Sequence, residues 1–392
     1  MSKKPLLFQP LTLRGLTLPN RIVVSPLCMY SAVEGLAQPW HFAHLSTFAR
    51  GKAGLVFAEA TAVEARGRIT PDCLGIWNDE QVEALKPITD FIVSMGSVPG
   101  IQLAHAGRKA STRAPFVPGG GAPVTREDTA PGYTPWQTVA PSAIPVAENW
   151  PVPTELDQAG MDEVRLAFVQ AARRSIDAGF RVIELHLAHG YLLHSFLSPI
   201  SNQRDDNYGG SLENRMRFPL EVAEAVRAEV GEDMPLFVRI SAIDGLEGGW
   251  TMDDSIRLSR ALVAVGIDVI DCSSGGIAGA PRFRIDDAGK PLTKDSARQP
   301  GFQVPYSARV RAETDARSMA VGVIVDPHQA EEILQSGGAD LVALGREIMF
   351  DPFWPLRAAA ELGVDPDFKL WPKQYAWAVN RRNQIAEYNR GD

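Results

Sequence analysis

Short runs of Val, Ile and Leu alternate along the chain with stretches whose apolar residues recur at helical spacing, which is the pattern of βα units around a parallel sheet. The apolar runs of strand length are residues 21–27, 55–63, 98–105, 182–189, 236–242, 269–275, 319–325 and 341–345. Between them, residues 161–178, 214–230, 253–265 and 327–336 carry an amphipathic helical period. This succession predicts an α/β fold, a TIM (β/α)8 barrel, in preference to an open sheet. Several strands run almost entirely apolar and turn polar at their C-terminal ends, as in Ile101-Gln102-Leu-Ala-His105 and Leu236-Phe-Val-Arg239-Ile-Ser241. A buried parallel strand has no use for an inward Gln102 or Arg239 unless each meets a partner or a ligand. The polar switch therefore marks the rim on which barrel enzymes keep their chemistry.

Residues 111–153 break the alternation, being dense in proline and glycine, with Pro118-Gly-Gly-Gly-Ala-Pro123 and Pro131-Gly-Tyr-Thr-Pro135-Trp136. They predict a long, lid-like loop excursion between strands three and four, within a single domain spanning residues 1–392. The C-terminal tail, residues 366–392, carries Phe368, Trp371, Tyr375 and Trp377 ahead of a polar end, the composition of a segment that docks, for instance on a neighbouring subunit. A homo-oligomer with the tail at its interface, a dimer or tetramer, is the corresponding expectation.

Composition narrows the function classes. With 45% hydrophobic and 22% charged residues in 392, the chain can bury a large core. A formal charge of −8 argues against nucleic acid as a partner, because duplex binding needs a concentrated basic surface. The first residues hold two lysines and no apolar run of signal-peptide length, and nothing later approaches a membrane span, so a cytoplasmic protein without a membrane partner is expected. Cys28, Cys73 and Cys272 form no Cys-x-x-Cys pair, which leaves no cysteine-ligated zinc or iron–sulfur site.

The densest chemistry follows the fourth apolar run, in His186-Leu-Ala-His189-Gly-Tyr191-Leu-Leu-His194. Two imidazoles and a phenol in one turn supply two hydrogen-bond donors and a proton donor, which is what reduction of an activated double bond needs. The same His-x-x-His spacing also fits a metal-dependent barrel hydrolase or lyase, with Glu59, His105 or Asp271 as further ligands. A phosphate could sit on Gly322 and on Gly345-Arg346 after strands seven and eight, with Ser273-Ser-Gly-Gly276 adding to the same region. A permanent cation at Arg239 lowers the energy of a reduced, negatively charged flavin, and the Gln102 amide suits a flavin's mixed donors and acceptors.

These motifs, with Asn20-Arg21-Ile-Val-Val-Ser25-Pro26-Leu27-Cys28-Met29-Tyr30-Ser31, Trp40-His-Phe-Ala-His44, Gly51-Lys-Ala-Gly54, Gln102-Leu-Ala-His105-Ala-Gly-Arg108-Lys109, Leu197-Ser-Pro-Ile-Ser-Asn202-Gln-Arg204, Arg204-Asp-Asp-Asn207-Tyr-Gly-Gly210 and Gly345-Arg346-Glu347, stand in one order from Leu7 to Pro352. Together they resemble the Old Yellow Enzyme family of flavin-dependent ene reductases, in its bacterial, thermophilic-like branch. The resemblance implies an FMN-bound barrel, reduced by NADPH or NADH, that in turn reduces enones, enals, maleimides or nitroalkenes. It implies that hydride passes from flavin N5 to the alkene β-carbon and a proton from Tyr191 to the α-carbon, with His186 and His189 holding the substrate oxygen. It further implies FMN contacts from Ser25, Pro26, Leu27, Cys28, Ala60, Gln102 and Arg239, and from Gly276, Gly322, Val323, Gly345 and Arg346. Cys28 would tune the flavin, Tyr30 and Lys109 would line the substrate, and Trp377 would reach a neighbouring subunit's site, with Arg381 and Arg382 close behind it.

Overall fold

The computed structural model describes residues 4–128, 132–278 and 299–381. Eight parallel strands form a closed barrel: β1 Ile22–Val24, β2 Leu55–Ala62, β3 Val98–Ala104, β4 Val182–Leu187, β5 Leu236–Ser241, β6 Val269–Ser273, β7 Arg317–Val321 and β8 Leu341–Leu344. Pairing of β8 with β1 closes the ring. The helices are α1 Pro39–Arg50, α2 Asp79–Ser94, α3 Gln158–Asp177, α4 Leu192–Leu197, α5 Leu212–Val230, α6 Met252–Ala264, α7 Val304–Glu313, α8 Pro327–Gln335, α9 Arg346–Phe350, α10 Trp354–Glu361 and α11 Lys373–Val379. Their starts are chemically marked, because Asn78, Asp157, Ser211 and Thr251 each accept a first-turn backbone N–H.

The period-2 geometry of the strands divides the apolar residues into two cores. Outward residues such as Ile183, Leu185, Val238, Ile240 and Ile270 pack under the helices. Inward residues Val182, Phe237, Val269, Met319 and Leu341 fill the barrel, and a hairpin of Leu11–Leu13 and Leu16–Leu18 plugs its N-terminal end with Leu11, Leu13 and Leu18. Two residues further along, the inward positions become Glu184 and His186 on β4, Arg239 on β5 and Asp271 on β6, with His186, Arg239 and Asp271 in register across the three strands. One face of the same strands therefore changes from filling to chemistry as it approaches the C-terminal rim.

Some element bounds differ from the sequence reading. Strand one stops at Val24, not residue 27, because Pro26 has no N–H to continue the ladder. Strand seven spans Arg317–Val321 rather than 319–325, since Gly322 and Val323 turn to φ values of 122° and 51° and end it. Gly322 is thus a turn residue after the strand. The described residues of the 111–153 excursion also hold more structure than a plain loop. Val139–Ala140 pairs with Thr154–Glu155, Arg113 grips Asp128 with two bonds of 2.6 Å, and the buried Arg108 donates to the carbonyls of Ile144, Pro145 and Ile277. Arg108 follows β3 and Ile277 follows β6, so the excursion is pinned at the C-terminal rim.

No helix among the described residues is long and apolar enough to cross a membrane.

Candidate active site

The site is built where β4 ends. The Ala188 N–H turns back onto His186 Nδ1 at 3.1 Å, and His189 adopts a φ of 61°, so the strand cannot continue past Leu187. Gly190 follows at a φ of 75°, where a Cβ would stand 2.3 Å from the Gly276 carbonyl oxygen, so no side chain fits. Tyr191 then caps α4.

The hydrogen bonds of this turn fix the tautomer of His186. Because His186 Nδ1 accepts from Ala188, its proton sits on Nε2. His189 Nε2 lies 2.7 Å from the Ser273 hydroxyl, and with that hydroxyl as donor the His189 proton would sit on Nδ1. His186 Nε2 and His189 Nδ1 lie 3.4 Å apart, near enough for both to reach a single shared oxygen. Burial first, and then the nearby Arg239 charge, hold both imidazoles well below the usual histidine range, so both are neutral donors at pH 7. The Tyr191 ring stands edge-on to His186 with centroids 4.9 Å apart, and burial pushes its phenol up.

Lys109 lies above this phenol, with Nζ 5.3 Å from the ring centre, and donates to the carbonyls of His189 and Gly276 at 2.8 and 3.0 Å. Its amine is therefore spent on tying the β4 turn to the loop after β6. Burial, helped by Arg108, pulls it down to about 8. On the other flank, Cys28 and Tyr30 share the space of Tyr191. Burial is the main cause that raises each of these groups, and Cys28 acts on both phenols. Glu59, at a bulge in β2, holds the Cys28 segment by accepting the Met29 N–H at 2.9 Å, and burial raises it to about 7.

Below the turn lies the buried group Gln102, Glu184, Arg239 and Asp271. Gln102 donates to Glu184 at 2.7 Å, and Arg239 Nε lies 3.1 Å from Asp271. Burial and the neighbouring Asp271 push Glu184 well above the carboxylate range. Arg239 makes no hydrogen bond among the described residues beyond its ion pair with Asp271, its Nε included, and neither does the buried Ser25 hydroxyl. Ala60 pairs with Gln102 across β2 and β3. Gly322, Val323, Gly345 and Arg346 line one cavity of about 520 Å³ at the ends of β7 and β8.

Several of the expected residues have local partners of their own. Ser273 and Gly276 serve the His189 turn, as Ser273 bonds His189 and Gly276 packs on its backbone. Trp377 lies on α11 at the opposite end of the barrel from Tyr191. That helix is held by the Tyr375 hydroxyl on Arg50, which precedes the turn into the N-terminal end of β2, and Trp377 itself is 67% exposed. Arg382 lies outside the described residues. Ser241, which accepts the His189 N–H at 2.9 Å, and the buried Glu184 were not singled out from sequence. For Glu184 a signal existed, an acid inside an apolar run, the same signal that marked Gln102 and Arg239.

The metal alternative fails on its ligands. Among the described residues no three His, Cys, Asp or Glu side chains converge on one point. The three companions are engaged elsewhere, Glu59 by Met29, His105 by Glu64 at 2.7 Å and Asp271 by Arg239.

Residues 6–364 match the NADH:flavin oxidoreductase / NADH oxidase family. The chain is 45% identical to an NADPH dehydrogenase of Geobacillus sp. (strain WCH70) over 92% of its own length and 95% of the relative's. It is 42% identical to an NADPH dehydrogenase of Bacillus subtilis (strain 168), over 92% and 96% respectively. The solved structure of an Old Yellow Enzyme homologue from Zymomonas mobilis superposes with a TM-score of 0.71 at 26% identity, covering 91% of this chain and 93% of that one. The residues present fit FMN, since the unpartnered Arg239 nitrogens and Ser25 hydroxyl await an acceptor and the glycine-lined cavity with Arg346 suits a phosphate. The chain belongs to the NADH:flavin oxidoreductase / NADH oxidase family, as an FMN-dependent NAD(P)H oxidoreductase of Old Yellow Enzyme type.

Proposed function

We propose that this oxidoreductase is an ene reductase of the thermophilic-like branch, acting on small activated alkenes such as enones, enals, maleimides and nitroalkenes. The observation that carries the reading is the pair of neighbouring imidazole nitrogens, His186 Nε2 and His189 Nδ1, beside the Tyr191 phenol. Bound FMN, reduced by NADPH or NADH, supplies the hydride for the β-carbon. His186 and His189 hold the carbonyl or nitro oxygen, and as neutral donors they stabilise the negative charge growing there without surrendering a proton. Tyr191 delivers its proton to the α-carbon. The Lys109 cation above the ring favours the phenolate left behind. Ser25, Gln102 and Arg239 would hold the flavin ring system, with Gly322, Val323, Gly345 and Arg346 at its phosphate.

The test is an anaerobic absorbance experiment on purified protein, adding NADPH and then 2-cyclohexenone. Flavin bands that bleach with NADPH and return with the alkene support the reading, whereas bands that stay bleached overturn it. His186→Ala or His189→Ala is expected to weaken phenol binding by about tenfold to a hundredfold, because a bound phenolate loses one charge-assisted hydrogen bond. Titration of the phenol's long-wavelength absorbance with the flavin checks this, and an unchanged dissociation constant removes the histidines from the role.

The exposure of Trp377, far from its own chain's Tyr191, supports a place for the tail at the interface of a homo-oligomer, a dimer or tetramer, with Trp377 entering the partner's site. Trp377→Ala is then expected to raise KM for bulky alkenes by several-fold without changing oligomer mass. Unchanged kinetics in an intact oligomer would remove the tail from the site. Three unpaired cysteines and a need for nicotinamide cofactor support a cytoplasmic location.

A further inference from the structure

Behind the catalytic turn lies a second, wholly buried polar unit. The Gly190 N–H donates to His194 Nδ1 at 2.8 Å. His194 Nε2 lies 3.1 Å from Asp244 Oδ1, off the line of a straight hydrogen bond. The other carboxylate oxygen, Oδ2, accepts from the Ser198 hydroxyl at 2.6 Å and from the Trp250 N–H at 2.7 Å. His194, Ser198 and Asp244 are all fully buried. Burial works against the Asp244 charge, but the neighbouring His194 and the bonds from Ser198 and the Trp250 N–H outweigh that cost and keep the carboxyl below its usual range.

The peptide that His194 grips is the one joining His189 to Gly190. Its carbonyl end is held by Lys109 Nζ at 2.8 Å, and the preceding N–H, that of His189, goes to Ser241 at 2.9 Å. One peptide plane is thus clamped from both edges, between a histidine at a φ of 61° and the tyrosine that caps α4. Rotation of that plane would swing the His189 ring off Ser273 and carry Tyr191 away from His186. A single amide needs only an acceptor, which any carbonyl could provide, so burying an aspartate–histidine pair for it asks for another reason. The carboxylate supplies one, because it fixes the His194 proton on Nε2 and leaves Nδ1 as an obligate acceptor.

We propose that Asp244 and His194 are positioning residues that lock the His189–Gly190 peptide, and through it the aim of His189 and Tyr191 at the substrate. The proposal rests on the ene-reductase reading. It separates the two nitrogens of His194. In His194→Asn an amide oxygen replaces Nδ1 and still meets the Gly190 N–H, whereas in His194→Gln the amide reaches Asp244 and leaves Gly190 unmet. The experiment measures flavin reduction by NADPH, reoxidation by 2-cyclohexenone and melting temperature in both variants. Reoxidation is expected within about threefold of the parent for Asn and slower by about tenfold to a hundredfold for Gln, with flavin reduction much less affected. Equal slowing in both variants, or no slowing in Gln, overturns the proposal, because a purely structural role would follow melting temperature instead.

Asp244→Asn gives a second reading should the Gln variant not fold. Its oxygen can still meet Ser198 and Trp250, which turns its amide N–H2 to His194, drives the ring proton to Nδ1 and sets it against the Gly190 N–H. Nitrogen-15 NMR of histidine-labelled protein should show Nε2 protonated in the parent and a changed tautomer in Asp244→Asn; a parent protonated on Nδ1 overturns the proposal whatever the turnover. A flavin-loaded parent that reduces no activated alkene instead strikes the ene-reductase reading, and the tautomer result is independent of that failure.

Discussion

Tyr191→Phe is expected to slow alkene-dependent flavin reoxidation by about a hundredfold or more, while flavin reduction by NADPH stays within a few-fold of the parent. Only the second half-reaction consumes the phenolic proton. The ring keeps its edge-on contact with His186 in the variant, so the substrate oxygen is still held and the loss falls on the protonation step. Stopped-flow measurement of the two half-reactions separates them, and equal slowing of both would remove Tyr191 from the acid role. The pH dependence has a definite sign. Burial pushes the phenol up, so the acid form persists through the alkaline range. Lys109 is charged below about 8 and loses its charge above, and with it the favourable contact to a developing phenolate. The parent's reoxidation rate should therefore fall as pH rises through about 8, and Tyr191→Phe, which forms no phenolate, should lack that limb.

The barrel was legible because its signal is long and repetitive. Apolar runs at β2, β3, β4, β5 and β6 were placed within a few residues, since each strand is buried on both faces and leaves no room for polar interruption. The strand ends were less legible, because they depend on single events such as the missing N–H of Pro26 or the positive φ of Val323. The same division holds at the site. His186, His189 and Tyr191 announce themselves within one turn, as titratable groups at the end of an apolar run. Ser241, Ser273 and Asp244 reach that turn from β5, β6 and the loop beyond β5, between 52 and 84 residues away for the two serines. A serine or aspartate after a strand carries no mark of the partner it will meet, so only the closed register of the barrel brings it there. Ser273 and Gly276 show the same limit, as their place after a strand was legible and their contacts with the His189 turn were not.

Arg239→Met is expected to lower stability by about 3 kcal/mol at pH 7, because it strands the carboxyl of a fully buried Asp271 that now pairs with the guanidinium at 3.1 Å. Burial already raises Asp271 above its ordinary value and Arg239 opposes that rise, so the variant's Asp271 titrates higher still. A carboxyl raised in the folded state binds its proton more tightly there than in the unfolded chain, so stability is greatest at low pH and is lost as pH rises through the folded value. The variant should accordingly recover part of its deficit relative to the parent as pH is lowered from 7. Flavin-stripped protein is the right material for this measurement, since it isolates the ion pair from cofactor binding. The flavin itself should be retained poorly at every pH, because the two unpartnered Arg239 nitrogens are the only described cation beside Gln102 and Glu184. Adding Asp271→Asn to Arg239→Met should restore most of the lost stability and none of the flavin affinity. Thermal unfolding and flavin titration of the single and double variants read the two quantities separately, and recovery of both together would mean that the cation serves the fold alone.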